Sequence, residues 1–194
     1  MLYLASSSPR RRQLLEQIEI PYRQMAVAVD ERPQRQECAE KYVVRLAIEK
    51  ARAGQRQLIG QNLEGPVLGA DTSVVVDQRI LGKPRHREEG LAMLKLLSGR
   101  SHQVMSAVAI VSAERCVTRL SSSTVTFRAL SEAERERYWQ SGEPLGKAGG
   151  YAVQGVAATF ISHLQGSYSG VMGLPLYETA QLIEELGLHI QDYE

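Results

Sequence analysis

The chain has 194 residues, 43% of them hydrophobic and 23% charged, with a formal net charge of +1. That length suffices for a sizeable core in one domain over 1–194, and the near-neutral balance excludes a global field for nucleic acid or an anionic membrane. No run approaches the roughly 18 apolar residues of a membrane span, no basic segment announces a signal peptide, and two cysteines without a Cys-x-x-Cys pair suit a reducing cytoplasm.

Leu2 to Ala5 predict a short buried strand, and Ser6-Ser7-Ser8 the loop that leaves it. Pro9 suits the first helical position and Ser8 the N-cap, so a helix is expected from Pro9 to about Ile18, with Leu14, Leu15 and Ile18 inward. Arg10, Arg11 and Arg12 oppose the helix dipole there, at roughly 0.3–1 kcal/mol each. Either they form a solvated basic turn, or they join the free N–H groups of the helix start in a phosphate cradle. The Ser-Ser-Ser-Pro cap favours the cradle. Tyr22 to Val29 alternates as a strand and delivers Asp30-Glu31 at its end. A helix over Cys38 to Ala53 then carries Ala39, Val43, Leu46, Ala47 and Lys50 on one stripe. Lys50 either snorkels out of the last turn or is aimed into a site.

Gln55 to Gly65 is polar and predicts a loop. Pro66 to Ala70 predicts a strand, interrupted by Asp71-Thr72-Ser73 before Val74 to Val76. Asp71 is either a turn residue or a poorly solvated carboxylate that needs a metal, a cation or several donors. No Pro or Gly turn signal follows it. Asp77-Gln78-Arg79 predicts a tight hairpin turn, with Ile80 to Pro84 returning and Lys83 held extended by Pro84. Arg87 to Leu97 is an amphipathic helix stopped by Ser98-Gly99. Gln103 to Val111 and Cys116 to Phe127 predict a long antiparallel hairpin around Ser112 to Arg115. Ser131 to Glu134 is a capping box for a helix carrying Tyr138 and Trp139. Five glycines between Gly142 and Gly155, around Lys147 and Gln154, predict a loop of close backbone approach. A second hairpin is expected around Gln165-Gly166, and a final helix over Leu174 to Leu186, stopped by Gly187. Hairpins mixed with crossover helices indicate an α/β protein with a mixed sheet.

The familiar phosphate and hydrolase signatures Gly-x-x-x-x-Gly-Lys-Ser/Thr, Gly-x-Gly-x-x-Gly and Gly-x-Ser-x-Gly are absent, and His86, His102, His163 and His189 lack metal spacing. What remains is a set of anion partners (Ser8, Arg10, Arg11, Lys50, Lys83 and Lys147) with two hard-oxygen acids, Glu31 and Asp71. Oxygen ligands that also face phosphates are the usual setting for magnesium.

SSSPRR at Ser6 to Arg11, VDE at Val29 to Glu31, GADT at Gly69 to Thr72, LGKP at Leu81 to Pro84, LSGRSH at Leu97 to His102, KAG through YAVQG over Lys147 to Gly155, and GLPL at Gly173 to Leu176 together resemble the Maf family of nucleoside triphosphate pyrophosphatases. The resemblance covers nearly the whole chain. It implies an α/β fold similar to inosine triphosphate pyrophosphatase, with a mixed twisted sheet, flanking helices and two lobes around a central cleft. It also implies conversion of a nucleoside triphosphate to the monophosphate and pyrophosphate, a divalent metal cation (Mg or Mn), and a cytoplasmic homodimer. By the same resemblance Asp71 is the catalytic acid-base, Glu31 a metal ligand, and Ser8, Arg11, Lys50, Lys83 and Lys147 phosphate partners. Arg10, Thr72 and Gln154 fall on the specificity positions and resemble the dTTP/UTP branch. The 7-methyl-GTP branch carries Trp, Gln and Glu there, and a nucleotide-binding regulator of septum formation is the other alternative. Gly146 departs from the pattern, which usually has Asp before Lys-Ala-Gly.

Overall fold

The computed structural model describes residues 1–113 and 115–187; Glu114, inside the expected Ser112 to Arg115 turn, and His189 lie outside them. Its elements are β1 (Leu2–Ala5), α1 (Pro9–Gln17), β2 (Tyr22–Met25), α2 (Ala39–Gly60), β3 (Val67–Val76), β4 (Arg79–Leu81), α3 (Arg87–Leu97), β5 (Ser101–Val111), β6 (Cys116–Phe127), α4 (Glu132–Gln140), β7 (Ile161–Gln165), α5 (Tyr168–Met172) and α6 (Leu176–Glu185). Short 3-10 turns occupy Ala148–Gly150 and Val156–Phe160. The seven strands form one mixed sheet in the order β2-β1-β3-β5-β6-β7, with β4 also paired to β3.

The long strands β3, β5 and β6 run through both halves of the molecule. β5 pairs with β3 from Val67 to Val75, which uses one whole edge of β3. On the other edge β1 takes Val67 and Leu68, while β4 takes Val74 to Val76. Among the described residues, no strand pairs with that edge between them. Asp71 sits in the middle of this gap, where the sheet opens into a cleft.

Alternation along β3 sends odd residues to one face and even residues to the other. The odd face packs under α2, where Val43, Leu46, Ala47 and Ala51 meet Val75, Ala107 and Ala109. The even face contributes Leu68 and Ala70 to a core closed by Leu14 and Leu15 of α1 and by Leu182 and Ile183 of α6. A second lobe gathers Leu94 and Leu97 of α3, Tyr138 of α4, Phe127 and Phe160 around Val74 and Val76. The cleft lies between the lobes.

Several expected elements differ from those observed. The strand from Tyr22 stops at Met25 instead of Val29, because its partner β1 ends at Ala5. The helix expected to end at Ala53 runs to Gly60; Leu58 is buried against Tyr3, Ala5 and Val67 in the stretch expected to be loop. β3 continues unbroken through Asp71-Thr72-Ser73, because the ladder to β5 satisfies its backbone there. The hairpin expected around Gln165-Gly166 does not form. Val156–Phe160 is a 3-10 turn, β7 pairs with β6, and Tyr168–Met172 is helical with Ser167 capping it. The final helix starts at Leu176, two residues late. The capping box at Ser131 and Glu134 forms as expected.

Candidate active site

The floor of the cleft is built by two elements brought unusually close. A Cβ added to Gly69 would lie 2.3 Å from the Ala47 carbonyl oxygen and 2.6 Å from the Ala51 nitrogen of α2. Only glycine there lets helix backbone rest on strand backbone. That approach carries Lys50, one turn along α2 from Ala47, onto Asp71. Lys50 Nζ donates to Asp71 Oδ1 at 2.7 Å, with side-chain exposures of only 11% and 10%. The same ammonium lies 2.8 Å from Glu31 Oε1, and Lys83 Nζ lies 3.0 Å from Glu31 Oε2. Asp71, Lys50, Glu31 and Lys83 thus form one chain of alternating charge from the buried floor to the rim.

Burial drives the Asp71 carboxyl above its ordinary range, opposed mainly by the charges of Lys50 and Arg11. For Glu31 burial also acts upward, but hydrogen bonds and charge from Lys50, then Lys83, outweigh it and hold the carboxyl at about 2. The two carboxylates therefore differ in proton affinity although they share one ammonium. The loop carrying Glu31 is held from α2: Tyr42 Oη donates to the Glu31 carbonyl at 2.7 Å.

Arg11 enters from the first turn of α1. Its Nε donates to the Gly173 carbonyl at 2.8 Å and its Nη1 to Ser6 Oγ at 3.2 Å. Burial lowers its guanidinium's proton affinity, with Asp71 and then Glu31 acting the other way. Ser8 stands at the N-cap of α1, yet its side chain makes no cap hydrogen bond, contrary to the role expected of it. The arginines are directed by their positions on the helix. Arg10 and Arg11 line the cleft, whereas Arg12 lines a separate surface depression with Glu16 and Tyr22.

The opposite wall is the glycine-rich loop. Gly149 has φ +67°, and a Cβ on it would meet Val74 at 2.9 Å. Glu143 pins the loop by accepting from Tyr138 Oη at 2.8 Å and from the Val156 nitrogen at 2.8 Å. Lys147 Nζ donates to the Leu145 carbonyl at 3.2 Å; burial, then the charge of Arg10, lowers its proton affinity.

All ten residues singled out from the sequence (Ser8, Arg10, Arg11, Glu31, Lys50, Asp71, Thr72, Lys83, Lys147 and Gln154) line this one cleft of about 610 Å³. Lys50 is aimed into the site rather than snorkelling away from it, and Asp71 is no turn residue. Asp71 and Thr72 are neighbours on a strand and so face opposite sides of the sheet. Both reach the cleft because it wraps the open edge of β3. Five cationic side chains against two carboxylates give the cleft a local positive excess that the whole-chain charge of +1 conceals. Sequence reasoning missed Ser6, Tyr42 and the Gly173 carbonyl as positioning groups, although SSSPRR and GLPL had marked two of those places. Asp71 and Glu31, 2.7 and 2.8 Å from the one Lys50 ammonium, are two hard-oxygen donors of the kind that suit a divalent cation taking its remaining ligands from phosphates and water. Among the described residues no cluster of three or more His, Cys, Asp and Glu offers a self-sufficient metal cage.

Comparison with known proteins gives a consistent result. The family model described as Maf-like protein matches residues 1–186. A relative from Alkalilimnicola ehrlichii named dTTP/UTP pyrophosphatase is 56% identical over 192 residues, 98% of this chain and 95% of its own. One of the same name from Bordetella avium is 50% identical, covering 96% of each chain. A third, from Saccharophagus degradans, is 50% identical over 94% of this chain and 87% of its own. The solved Ham1 protein of Staphylococcus aureus covers 68% of this chain and 72% of its own at 16% identity, with a TM-score of 0.42.

Proposed function

The chain belongs to the Maf family, and from that membership we propose that it is a nucleoside triphosphate pyrophosphatase that converts dTTP and UTP to the monophosphate and pyrophosphate. Relatives at 50–56% identity bear the name of that activity. The single observation that carries the chemistry is the buried Asp71 carboxylate held 2.7 Å from Lys50 at the floor of a cation-lined cleft.

Asp71 accepts a proton from the water that attacks the α-phosphorus. A carboxylate whose proton affinity is raised by burial, yet kept ionised by Lys50, is better matched to that task than a solvated one. Help of this kind is worth about 10²–10⁴-fold. Arg11, Lys50 and Lys83 hold the triphosphate and neutralise the charge that grows on the departing pyrophosphate. Ser8 and Lys147 add donors along the tail. Glu31, with Asp71 beside it, would hold a divalent cation (Mg or Mn), which would supply further charge neutralisation at the phosphates. Arg10, Thr72 and Gln154 meet the base: a carboxamide offers both donor and acceptor, which suits the O4 and N3–H of uracil or thymine. The enzyme works in the cytoplasm as a homodimer. No helix among the described residues is long and apolar enough to cross a membrane.

Pyrophosphate release across dTTP, UTP, CTP, GTP and 7-methyl-GTP, with Mg, with Mn and with chelator, tests the assignment. Asp71→Asn is expected to lose about 10²-fold or more in kcat with little change in KM. Near-normal release from Asp71→Asn removes the base, and a preference for 7-methyl-GTP removes the substrate class.

A further inference from the structure

Thr72 and Ser106 face each other directly across the β3–β5 ladder, with their hydroxyl oxygens 2.8 Å apart. That contact alone does not say which hydroxyl donates. The second contact of Ser106 decides it. Ser106 Oγ lies 2.6 Å from the carbonyl oxygen of Gly170 in α5. A carbonyl only accepts, and a serine hydroxyl has one proton. That proton goes to Gly170, so the proton between the two hydroxyls is the one on Thr72. Ser106 is 1% exposed, so bulk solvent does not compete for its hydroxyl.

Thr72 is consequently left with lone pairs, and no proton, to show to the cleft it lines. We propose that Ser106 is a specificity-positioning residue: by drawing off the Thr72 proton it makes that hydroxyl a pure acceptor, so the site favours a nucleobase presenting a ring N–H over one presenting a ring acceptor. Uracil and thymine carry N3–H at that edge, a proton that Thr72 Oγ1 shares with the Gln154 carboxamide oxygen. Cytosine carries a bare N3. Ser106 does not line the cleft and acts only through Thr72.

The device is anchored by the segment that also fixes the phosphate end. Gly170 N donates to Ser167 Oγ at 3.0 Å at the start of α5, and three residues on the Gly173 carbonyl receives Arg11 Nε. A Cβ added to Gly173 would lie 3.8 Å from Thr72 Oγ1 and 3.7 Å from Arg11 Nε. One short stretch of backbone therefore sets the Thr72 hydroxyl and the Arg11 guanidinium relative to each other, which ties base selection to phosphate placement.

Everything here rests on Thr72 meeting the base, as proposed above, and the test separates the two ideas. Values of kcat/KM are measured for UTP, dTTP and CTP with wild type, Ser106→Ala, Ser106→Thr and Thr72→Val. In Ser106→Ala the Thr72 hydroxyl is free to turn and donate to cytosine N3, so the CTP:UTP ratio rises about tenfold. The pH profile for UTP, governed by Asp71, keeps its position. A merely structural defect lowers all three nucleotides together. Ser106→Thr keeps a hydroxyl and holds the wild-type ratio. Should Ser106→Ala fold poorly, Ser106→Cys keeps nearly the same volume with a weak donor and moves the ratio the same way. In a Thr72→Val background the Ser106 change has no further effect on the ratio. An unchanged ratio in both Ser106→Ala and Ser106→Cys, with a changed ratio in Thr72→Val, refutes the relay while leaving base recognition by Thr72 intact. An unchanged ratio in Thr72→Val overturns both.

Discussion

Replacing Lys50 with Met keeps an unbranched stem of similar length and deletes the ammonium shared by Asp71 and Glu31, at 2.7 and 2.8 Å. Removing one member of a buried pair costs about 3–5 kcal/mol, because the other charge is left without compensation. Glu31 contributes little to that cost, since its side chain is 40% exposed and keeps Lys83. Asp71, 10% exposed, bears most of it. It has one way out, which is to take up a proton. Burial already drives its carboxyl upward, and without Lys50 the charge of Arg11 is the main remaining opposition. A carboxyl raised in the folded state favours folding fully below its ordinary pKa, and that advantage disappears as pH rises through the folded value. Lys50→Met is therefore destabilised by most of the 3–5 kcal/mol at about pH 8 and by distinctly less at about pH 5. Urea unfolding at the two pH values measures this. The same variant must ionise Asp71 before it can act, so the acid limb of its kcat/KM profile moves to higher pH, and its rate near pH 7 falls by about 10²-fold or more. Equal destabilisation at both pH values, or an acid limb that stays where the wild type has it, refutes the claim that Lys50 keeps Asp71 ionised.

Gly69→Ala forces its methyl group into the backbone of α2 and is expected to cost at least about 1–3 kcal/mol, the usual range for overpacking. Because it also lifts Lys50 from Asp71, its kcat falls further than that of Leu58→Ala, a cavity variant away from the cleft with a comparable loss of about 2–5 kcal/mol; equal losses of kcat count against the coupling. His102, buried against Phe127 with Nε2 2.7 Å from Tyr151 Oη, is held neutral by burial, with its pKa lowered to about 4. The unfolded chain takes up that proton first, so stability falls as pH drops from about 6.5 towards 4, by on the order of 3 kcal/mol. His102→Phe should flatten that part of the acid unfolding curve, and an unaltered slope assigns it elsewhere. Gly146 has φ +70° with open space where a Cβ would stand, and it lines the cleft. Gly146→Asp, which supplies the carboxylate that the family resemblance leads one to expect before Lys147, should cost about 1–2 kcal/mol, since left-handed backbone strains a residue with a Cβ and Asp is among those that bear it best. It should lower the Mg concentration needed for half-maximal rate; a titration curve identical to wild type argues against a metal role for this wall.

Much of the fold was legible because its signals are local. The stripe of Val43, Leu46, Ala47 and Lys50, the capping box at Ser131, and the long run from Gln103 to Phe127 each announce a period that needs no distant partner. Where the expectation failed, the deciding partner was remote. Leu58 hides among polar residues and declares a helix only once Tyr3, Ala5 and Val67 are there to receive it. A strand through Asp71 looked costly because Lys50, which compensates it, lies 21 residues away in the chain. The apolar stretch around Val171 reads as strand until Ser167 caps it as a short helix.

The chemical inventory of the site was written in the sequence: which side chains carry charge, which short motifs surround them, and which two acids are available. Their roles were not, since a role depends on distance, burial and direction. Tertiary structure alone set β1 and β4 at the two ends of one edge of β3 and left the gap through which Asp71 and Thr72, on opposite faces, reach a common cleft. It alone gave Asp71 and Glu31 unlike proton affinities, through unlike burial around a single ammonium. Ser106 shows the limit most clearly. Nothing in its neighbourhood in the chain distinguishes it from any other buried serine, and it gains a direction only from Thr72 and Gly170, 34 and 64 residues away.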